Sequence, residues 1–230
     1  MYSQIDPAKV FVLVPVFNEG PVTKTVVEEL VAKEYTVVVI DDGSGAPIKN
    51  TLENMPIYLL RHKINLGQGA ALQTGIDYAL SKGASLLVTF DSDGQHCVDD
   101  IAKLVNALQD KHVDVVLGSR FLQDASEIPA KRKALLQMAR MVNFFFTGMW
   151  LTDAHNGMRA FTGSAAEKIK LQENRMAHAT EVISLIKKNN LCYAEAPVTI
   201  RYTDYSKQKG QKLPDAFRVL FELFLNKLFR

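Results

Sequence analysis

Short apolar runs alternating with amphipathic stretches predict an α/β protein, a mostly parallel sheet with helices on both faces. Three observations carry that expectation. Runs at Val10 to Val16, Tyr35 to Ile40, Ile57 to Leu60, Leu86 to Phe90 and Val113 to Leu117 are short and nearly continuous in apolar residues, as strands covered on both faces are. Segments with helical spacing separate them. Several runs also end abruptly in acidic residues or glycine, so polar chemistry is expected where strands stop.

The elements follow in order. The Val10 to Val16 strand ends at Pro15-Val16-Phe17-Asn18-Glu19-Gly20, and Pro21 then supplies a first-turn residue for a helix over Val22 to Lys33. The second strand runs into Asp41-Asp42-Gly43-Ser44. A short helix near Ile48 to Asn54 precedes the third strand, after which Asn65-Leu66-Gly67-Gln68-Gly69 opens a helix from Ala70 to Ser81. Leu86 to Phe90 leads directly into Asp91, Asp93, Gln95 and His96, and a helix over Val98 to Gln109 follows. The Val113 to Leu117 strand is closed by Gly118-Ser119-Arg120. In such a sheet the carboxyl ends of the parallel strands share one edge, where ligands bind. Glu19, Asp42, Asp91, Asp93 and Arg120 are therefore expected on one rim.

Composition sets limits. A chain of 230 residues, 47% hydrophobic and 23% charged, fits one domain with one substantial core. The N-terminus carries no basic segment followed by an apolar one, which leads to the expectation of a cytoplasmic protein. Cys97 and Cys192 have no C-x-x-C spacing, fitting a reducing compartment and offering no zinc site. Net charge is only +2, and no nucleic-acid partner is expected. Residues 201 to 230 nevertheless hold seven Lys/Arg against three Asp/Glu, a local excess suited to phosphates or an anionic membrane. Met138 to Leu151 is apolar but too short to span a bilayer.

Asp91 and Asp93, one residue apart at the end of a buried strand, suit a hard divalent cation such as Mg²⁺ or Mn²⁺. The competing expectation is a solvated turn whose Asp residues cap a helix. His96 reads either as a ligand or base, or as a residue satisfying backbone groups.

Taken together, Val14-Pro15-Val16-Phe17-Asn18-Glu19, Asp41-Asp42-Gly43-Ser44, Asn65-x-Gly67-x-Gly69-Ala70-Ala71 and Asp91-Ser92-Asp93-Gly94-Gln95-His96 resemble the inverting family-2 glycosyltransferases of GT-A fold, with its Rossmann-like sheet. Gly118-Ser119-Arg120 and Asn156-Gly157-Met158-Arg159-Ala160-Phe161 extend the resemblance toward dolichyl- and polyprenyl-phosphate sugar synthases. It covers roughly residues 10 to 210, so 1–210 is expected to be one catalytic domain and 211–230 a C-terminal amphipathic helix. Gln68 stands where a lysine is common in the family.

The resemblance implies roles. Pro15, Phe17 and Glu19 should line the nucleotide, with Asp42 at the base edge and Asp91 on the ribose side. Asp93 and Gln95, with Asp91 beside them, should hold Mn²⁺ or Mg²⁺ on the diphosphate. Arg120 and Arg132 are the candidates for the acceptor phosphate. Arg201 and Lys207 match positions in a basic loop, 201 to 210, expected to close over the donor. Asp93, Arg120 and Glu181 form the candidate catalytic set.

Two apolar helices are left open between core and membrane. Pro129 to Trp150 is apolar nearly all round, which favours burial in the core, yet Lys131-Arg132-Lys133 at its start also suits lipid head groups. Pro214 to Arg230 packs on the domain or lies on a membrane or partner. Ala177 to Lys188 reads as a helix carrying Glu181, either a base with a raised pKa or one half of a structural pair. Leu191 to Ile200 reads as the last strand.

The expected activity is transfer of a sugar from a nucleoside diphosphate sugar to a polyprenyl phosphate by a protein peripheral to the inner membrane face. Transfer to a sugar hydroxyl of a lipid-linked glycan, with Glu181 as base, is the first alternative. A non-catalytic nucleotide-sugar-binding partner of a small membrane protein is the second.

Overall fold

The computed structural model describes residues 5–122, 130–154, 156–173 and 177–201. Seven strands form one sheet in the order β3-β2-β1-β4-β6-β5-β7. They are β1 (Val10–Val16), β2 (Thr36–Asp41), β3 (Tyr58–Arg61), β4 (Leu86–Thr89), β5 (Val115–Ser119), β6 (Arg159–Thr162) and β7 (Tyr193–Pro197). Only β6 runs against its neighbours, β4 and β5. That reversal brings the loop before β6 to the rim where the other strands end.

Strand alternation feeds two cores. Val10, Val12, Val14 and Val16 turn one way, onto α1 (Val22–Ala32) and α3 (Asp100–Asp110) through Val27, Leu30, Ile101 and Leu104. Leu13, Val38 and Ile40 turn the other way, onto α2 (Gln68–Ser81), α5 (Gly163–Lys168) and α6 (His178–Lys188). The expected architecture, helices on both faces, is the one observed.

Several boundaries differ from the sequence reading. Ile48 to Asn54 forms only a 3-10 turn at Ile48–Asn50, and β7 is shorter than Leu191 to Ile200. Helix α5 was not anticipated; Thr162 starts it, its Oγ1 accepting the amide of Ala165 at 3.2 Å. α4 (Ala130–Thr147) stops before Trp150, because Gly148 takes a positive φ of 67° and donates its N–H to Phe144 O at 2.6 Å.

Pro15 sets the end of β4. The Phe90 N–H donates to Leu13 O at 2.9 Å, and Pro15, two residues further along β1, has no N–H with which to continue that ladder. Pairing therefore ends at Leu13 and Thr89, and the chain beyond Phe90 is released into the Asp91 loop. Pro15 itself is buried in β1, so it shapes the rim from behind rather than lining it, a correction to its expected contact with the nucleotide.

Helix α4 resolves one open expectation. Among its described side chains the buried ones are polar: Asn143 and Thr147, with Asn143 Nδ2 donating to Thr147 Oγ1 at 3.3 Å and Thr147 Oγ1 to Asn143 O at 2.8 Å. Met138, Met141, Phe144 and Phe145 face outward, Phe145 74% exposed, so the core placement favoured by composition is not the one adopted. Lys131, Arg132 and Lys133 belong to its first turns.

Candidate active site

The β4 end supplies the centre of the site. Asp91 is held from two sides: Gln68 Nε2, at the start of α2, donates to Oδ1 at 3.0 Å, and His96 Nε2 donates to Oδ2 at 3.1 Å. An ionised carboxylate only accepts, so this contact places the His96 proton on Nε2. Its Nδ1 is buried with no hydrogen-bond partner among the described residues, and its ring meets Phe90 at 5.6 Å. Behind the carboxylate lies Gly157, where any Cβ would run into the Asp91 oxygens. Thr89 Oγ1 fixes that approach by donating to Gly157 O at 2.6 Å.

Charge is distributed unevenly here. Burial draws the Asp91 carboxyl upward, but the His96 hydrogen bond and the charges of His96, His178 and Arg159 outweigh it and hold Asp91 below the usual carboxylate range. Asp93 moves the other way, raised by burial and by the Asp91 charge against the opposing hydrogen bonds of Gln95. Arg159, buried, is pushed down to about 10 by desolvation, with Asp91 and Asp153 favouring its charge. Its Nε donates to Asn156 O at 3.2 Å and its Nη2 to Ala179 O at 3.1 Å, tying the β6 loop to α6.

Asp93 and Gln95 form a short turn. Asp93 Oδ1 accepts the Gln95 N–H at 3.0 Å, and Oδ2 accepts the Gln95 side-chain amide. The Gln95 carbonyl in turn accepts the Arg201 N–H at 2.8 Å, and His96 bridges to Ile200. The basic segment beginning at Arg201 is thus rooted on the Asp93 turn. Lys207 and the expected 211–230 helix lie outside the described residues, as does His155.

Other expected residues fall elsewhere. Phe17 is exposed and Glu19 half-buried on the same rim, next to Asn18, whose N–H donates to Ser44 Oγ at 3.0 Å. Asp42 needs correction. Its Oδ1 accepts from His62 Nδ1 and the Leu66 N–H, at 2.7 and 2.9 Å, and its Oδ2 from Asn65 Nδ2 and the Gly67 N–H, at 2.9 and 2.7 Å. Four donors fill a carboxylate's capacity, so Asp42 orders the 62–67 turn rather than meeting a base edge.

Arg120 and Glu181 also have structural work. Arg120 is buried, its Nε on Asp153 Oδ2 at 2.6 Å, so it stands at the site as one half of an ion pair. Glu181 caps the segment before α6, its Oε1 accepting the Gln172 N–H and its Oε2 the Glu173 N–H, each at 2.9 Å. It lines a separate concavity with Lys168, Lys170 and Lys188, while the Asp91 cavity is lined by His178 and Ala179. The structural alternative for Glu181 is the one its geometry supports. Arg132 sits in the first turn of α4. Asp153 and His178 were not singled out from the sequence; Gln68 was noted only as a departure from the lysine common at its position, without a role.

Among the described residues no cluster of three or more His, Cys, Asp or Glu could enclose a metal by itself. The Asp91 and Asp93 oxygens instead form an incomplete hard-donor set that fits an ion shared with a substrate's oxygens.

Comparison with known proteins agrees with this geometry. The Glycosyl transferase family 2 model matches residues 11–170. The UDP-N-acetylglucosamine–dolichyl-phosphate N-acetylglucosaminyltransferase of Methanococcus voltae is 29% identical over 95% of this chain and 96% of its own. The polyprenol monophosphomannose synthase of Mycolicibacterium smegmatis is 28% identical over 92% and 87%. Glucosyl-3-phosphoglycerate synthase of Mycobacterium tuberculosis, solved with Mn²⁺, UDP and phosphoglyceric acid, superposes with a TM-score of 0.63 at 14% identity, covering 93% of this chain and 78% of that one, which supports the fold alone. With a sheet ending in an Asp-x-Asp turn and a family match over most of its length, the chain belongs to glycosyl transferase family 2 and is a nucleotide-sugar-dependent glycosyltransferase.

Proposed function

We infer that this enzyme transfers a sugar from a nucleoside diphosphate sugar to a polyprenyl phosphate at a membrane surface. The observation that carries the reading is the Asp91–Asp93 pair at the β4 end, with Arg201 hydrogen-bonded to the same turn. Full-length similarity to two proteins named for dolichyl and polyprenol phosphate transfer supports the acceptor class. In this reading Phe17 and Glu19 serve the nucleotide, Asp91 the ribose and sugar, and Arg201 the diphosphate.

Asp93 and Gln95, with Asp91, are the residues that would hold Mn²⁺ or Mg²⁺. When bound, the ion supplies Lewis-acid stabilisation of charge on the diphosphate. The chain's own residues do the positioning. Gln68 and His96 keep Asp91 ionised and fixed, and Arg159 balances its charge from behind. An oxygen of the lipid phosphate attacks the anomeric carbon, the bond from that carbon to the diphosphate oxygen breaks, and its electron pair leaves on the nucleoside diphosphate. A single displacement inverts the centre. The nucleophile is already an anion, so no side chain need remove a proton, which accords with Glu181 being occupied in a cap.

Helix α4 supports placement at a membrane. No described helix is long and apolar enough to cross one. The outward face of α4 nevertheless carries Met141, Phe144 and Phe145, extended by Trp150, which meets Phe144 edge to face at 5.3 Å and lies under the Arg140 guanidinium at 4.4 Å. Lys131, Arg132 and Lys133 in its first turns add positive charge, the combination that seats a helix in an anionic interface. Phe145→Asp is expected to weaken binding to vesicles containing an anionic phospholipid by about tenfold or more, without changing thermal stability, since burying one Phe contributes roughly 2 kcal/mol. Unchanged vesicle binding in a co-sedimentation assay would place the membrane contact elsewhere.

The acceptor assignment is tested by incubating labelled nucleotide sugars with polyprenyl phosphate and Mn²⁺ and following label into organic-extractable product.

A further inference from the structure

Beside Asp91 a cavity of about 70 Å³ opens from the rim into the core between β4, β6, α2 and α6. Its lip is polar, formed by Gln68, Thr89, Asp91, Asn156, Arg159 and His178, and its floor is apolar, formed by Leu72, Ile76 and Val182. It exceeds the ~15 Å³ that one water needs and holds a group of about three or four non-hydrogen atoms. Water has hydrogen-bond partners at the lip but none on the floor, so the lower part favours a methyl-sized apolar group.

We propose that this cavity receives the acylamino substituent of the donor sugar, making the enzyme selective for N-acetylhexosamine over hexose donors. The assignment rests on the transferase reading above, in which the donor lies against Asp91. An acetamido group matches the walls from top to bottom. Its N–H meets a carboxylate that only accepts, and its carbonyl meets the amide of Gln68, which uses one N–H on Asp91 Oδ1 and retains another. Its methyl reaches Leu72, Ile76 and Val182. Competing substituents match only in part: a hydroxyl leaves the floor empty, and a carboxylate, although Arg159 and His178 also line the cavity, meets the Asp91 charge at the lip and reaches a floor with no donor to solvate it. Relatives named for N-acetylglucosaminyl and for mannosyl transfer show that family membership does not decide the question, whereas the cavity does.

The test compares donors that differ at this substituent. Calorimetric titration of the full chain with Mn²⁺ and either UDP-N-acetylglucosamine or UDP-glucose is expected to show at least a tenfold preference for the acylated donor, the range a small apolar contact provides. The same preference is expected when label from UDP-N-acetylglucosamine, UDP-glucose and GDP-mannose is followed into polyprenyl phosphate. Ala179→Leu, which grows a side chain into the cavity wall, should abolish the preference while leaving UDP-glucose affinity unchanged, and that retained affinity shows the variant folds. If Ala179→Leu binds neither donor, the smaller Val182→Ile decides by the same ratio. Equal affinities, preferred use of UDP-glucose or GDP-mannose, or a preference surviving both substitutions overturns the subsite. Preference in binding with no label in lipid would instead overturn the acceptor reading and leave the subsite standing. Failure of every donor to bind overturns both.

Discussion

Asp93→Ala is expected to lower Mn²⁺-dependent release of nucleoside diphosphate by about a thousandfold while leaving the folded state almost as stable as before. The two halves have separate physical causes. Asp93 is only partly buried, and its described hydrogen bonds go to Gln95 two residues away, so removing it leaves no strongly buried partner unsatisfied. Its proposed role is to hold an ion whose stabilisation of the leaving diphosphate contributes several kcal/mol in the transition state, and each ~1.4 kcal/mol is a factor of ten in rate. Activity would therefore fall with an unchanged melting temperature, and excess Mn²⁺ would restore little. Retention of most of the activity at saturating Mn²⁺ would remove Asp93 from the metal site.

Asp153→Ala is expected to do the reverse, lowering stability first. Asp153 and Arg120 are both buried, joined at 2.6 Å through Nε and at 3.2 Å through the Arg120 amide. Glu195 in β7 fixes the pair's frame by accepting from the Thr152 amide at 2.8 Å and the Thr152 hydroxyl at 2.6 Å. Truncating Asp153 removes one half of a buried ion pair, which costs about 3–5 kcal/mol. For a chain of this size that corresponds to roughly a 10 °C fall in melting temperature. Asp153→Asn keeps an acceptor beside Arg120 and should lose clearly less. Equal losses from the two substitutions would show that the counter-charge, and not the hydrogen bond, is what the pair contributes.

The parts of the fold legible in sequence were those set by apolar runs and by punctuation. Val10 to Val16 and Leu86 to Phe90 located central strands because a strand covered on both faces has no other reason to be continuously apolar. Strand direction left no such mark: nothing in Arg159 to Thr162 distinguishes an antiparallel β6 from a parallel one, although that reversal brings Gly157 and Arg159 to Asp91. Helix α4 was misplaced for a related reason. Apolar side chains surround it, and Asn143 and Thr147 satisfy each other within the helix, so they can be buried, a local pairing that hydropathy does not record.

The site was read unevenly. Asp91, Asp93, Gln95 and His96 are contiguous, so a strand end was enough to gather them. Asp42 looked equally available but is saturated by the backbone of Leu66 and Gly67 and the side chains of His62 and Asn65, partners contributed only after the turn has formed. Gln68 was passed over because it lacks the charge its position often carries, yet an amide suits what it does: it donates to Asp91 without adding a second cation beside Arg159. Arg120 was read from its place at a strand end and in the Gly-Ser-Arg motif, and Glu181 from its apolar helical setting and the family resemblance, whereas the partners observed for them are Asp153 and loop amides.

The central claim is transfer to a lipid phosphate, and phase partition of labelled sugar tests it most directly. With donor, Mn²⁺ and short-chain polyprenyl phosphate, the account predicts enzyme-dependent label in the organic phase, one sugar per phosphate, lost in Asp93→Ala. Label appearing only in water-soluble glycan, with none in polyprenyl phosphate, would contradict it.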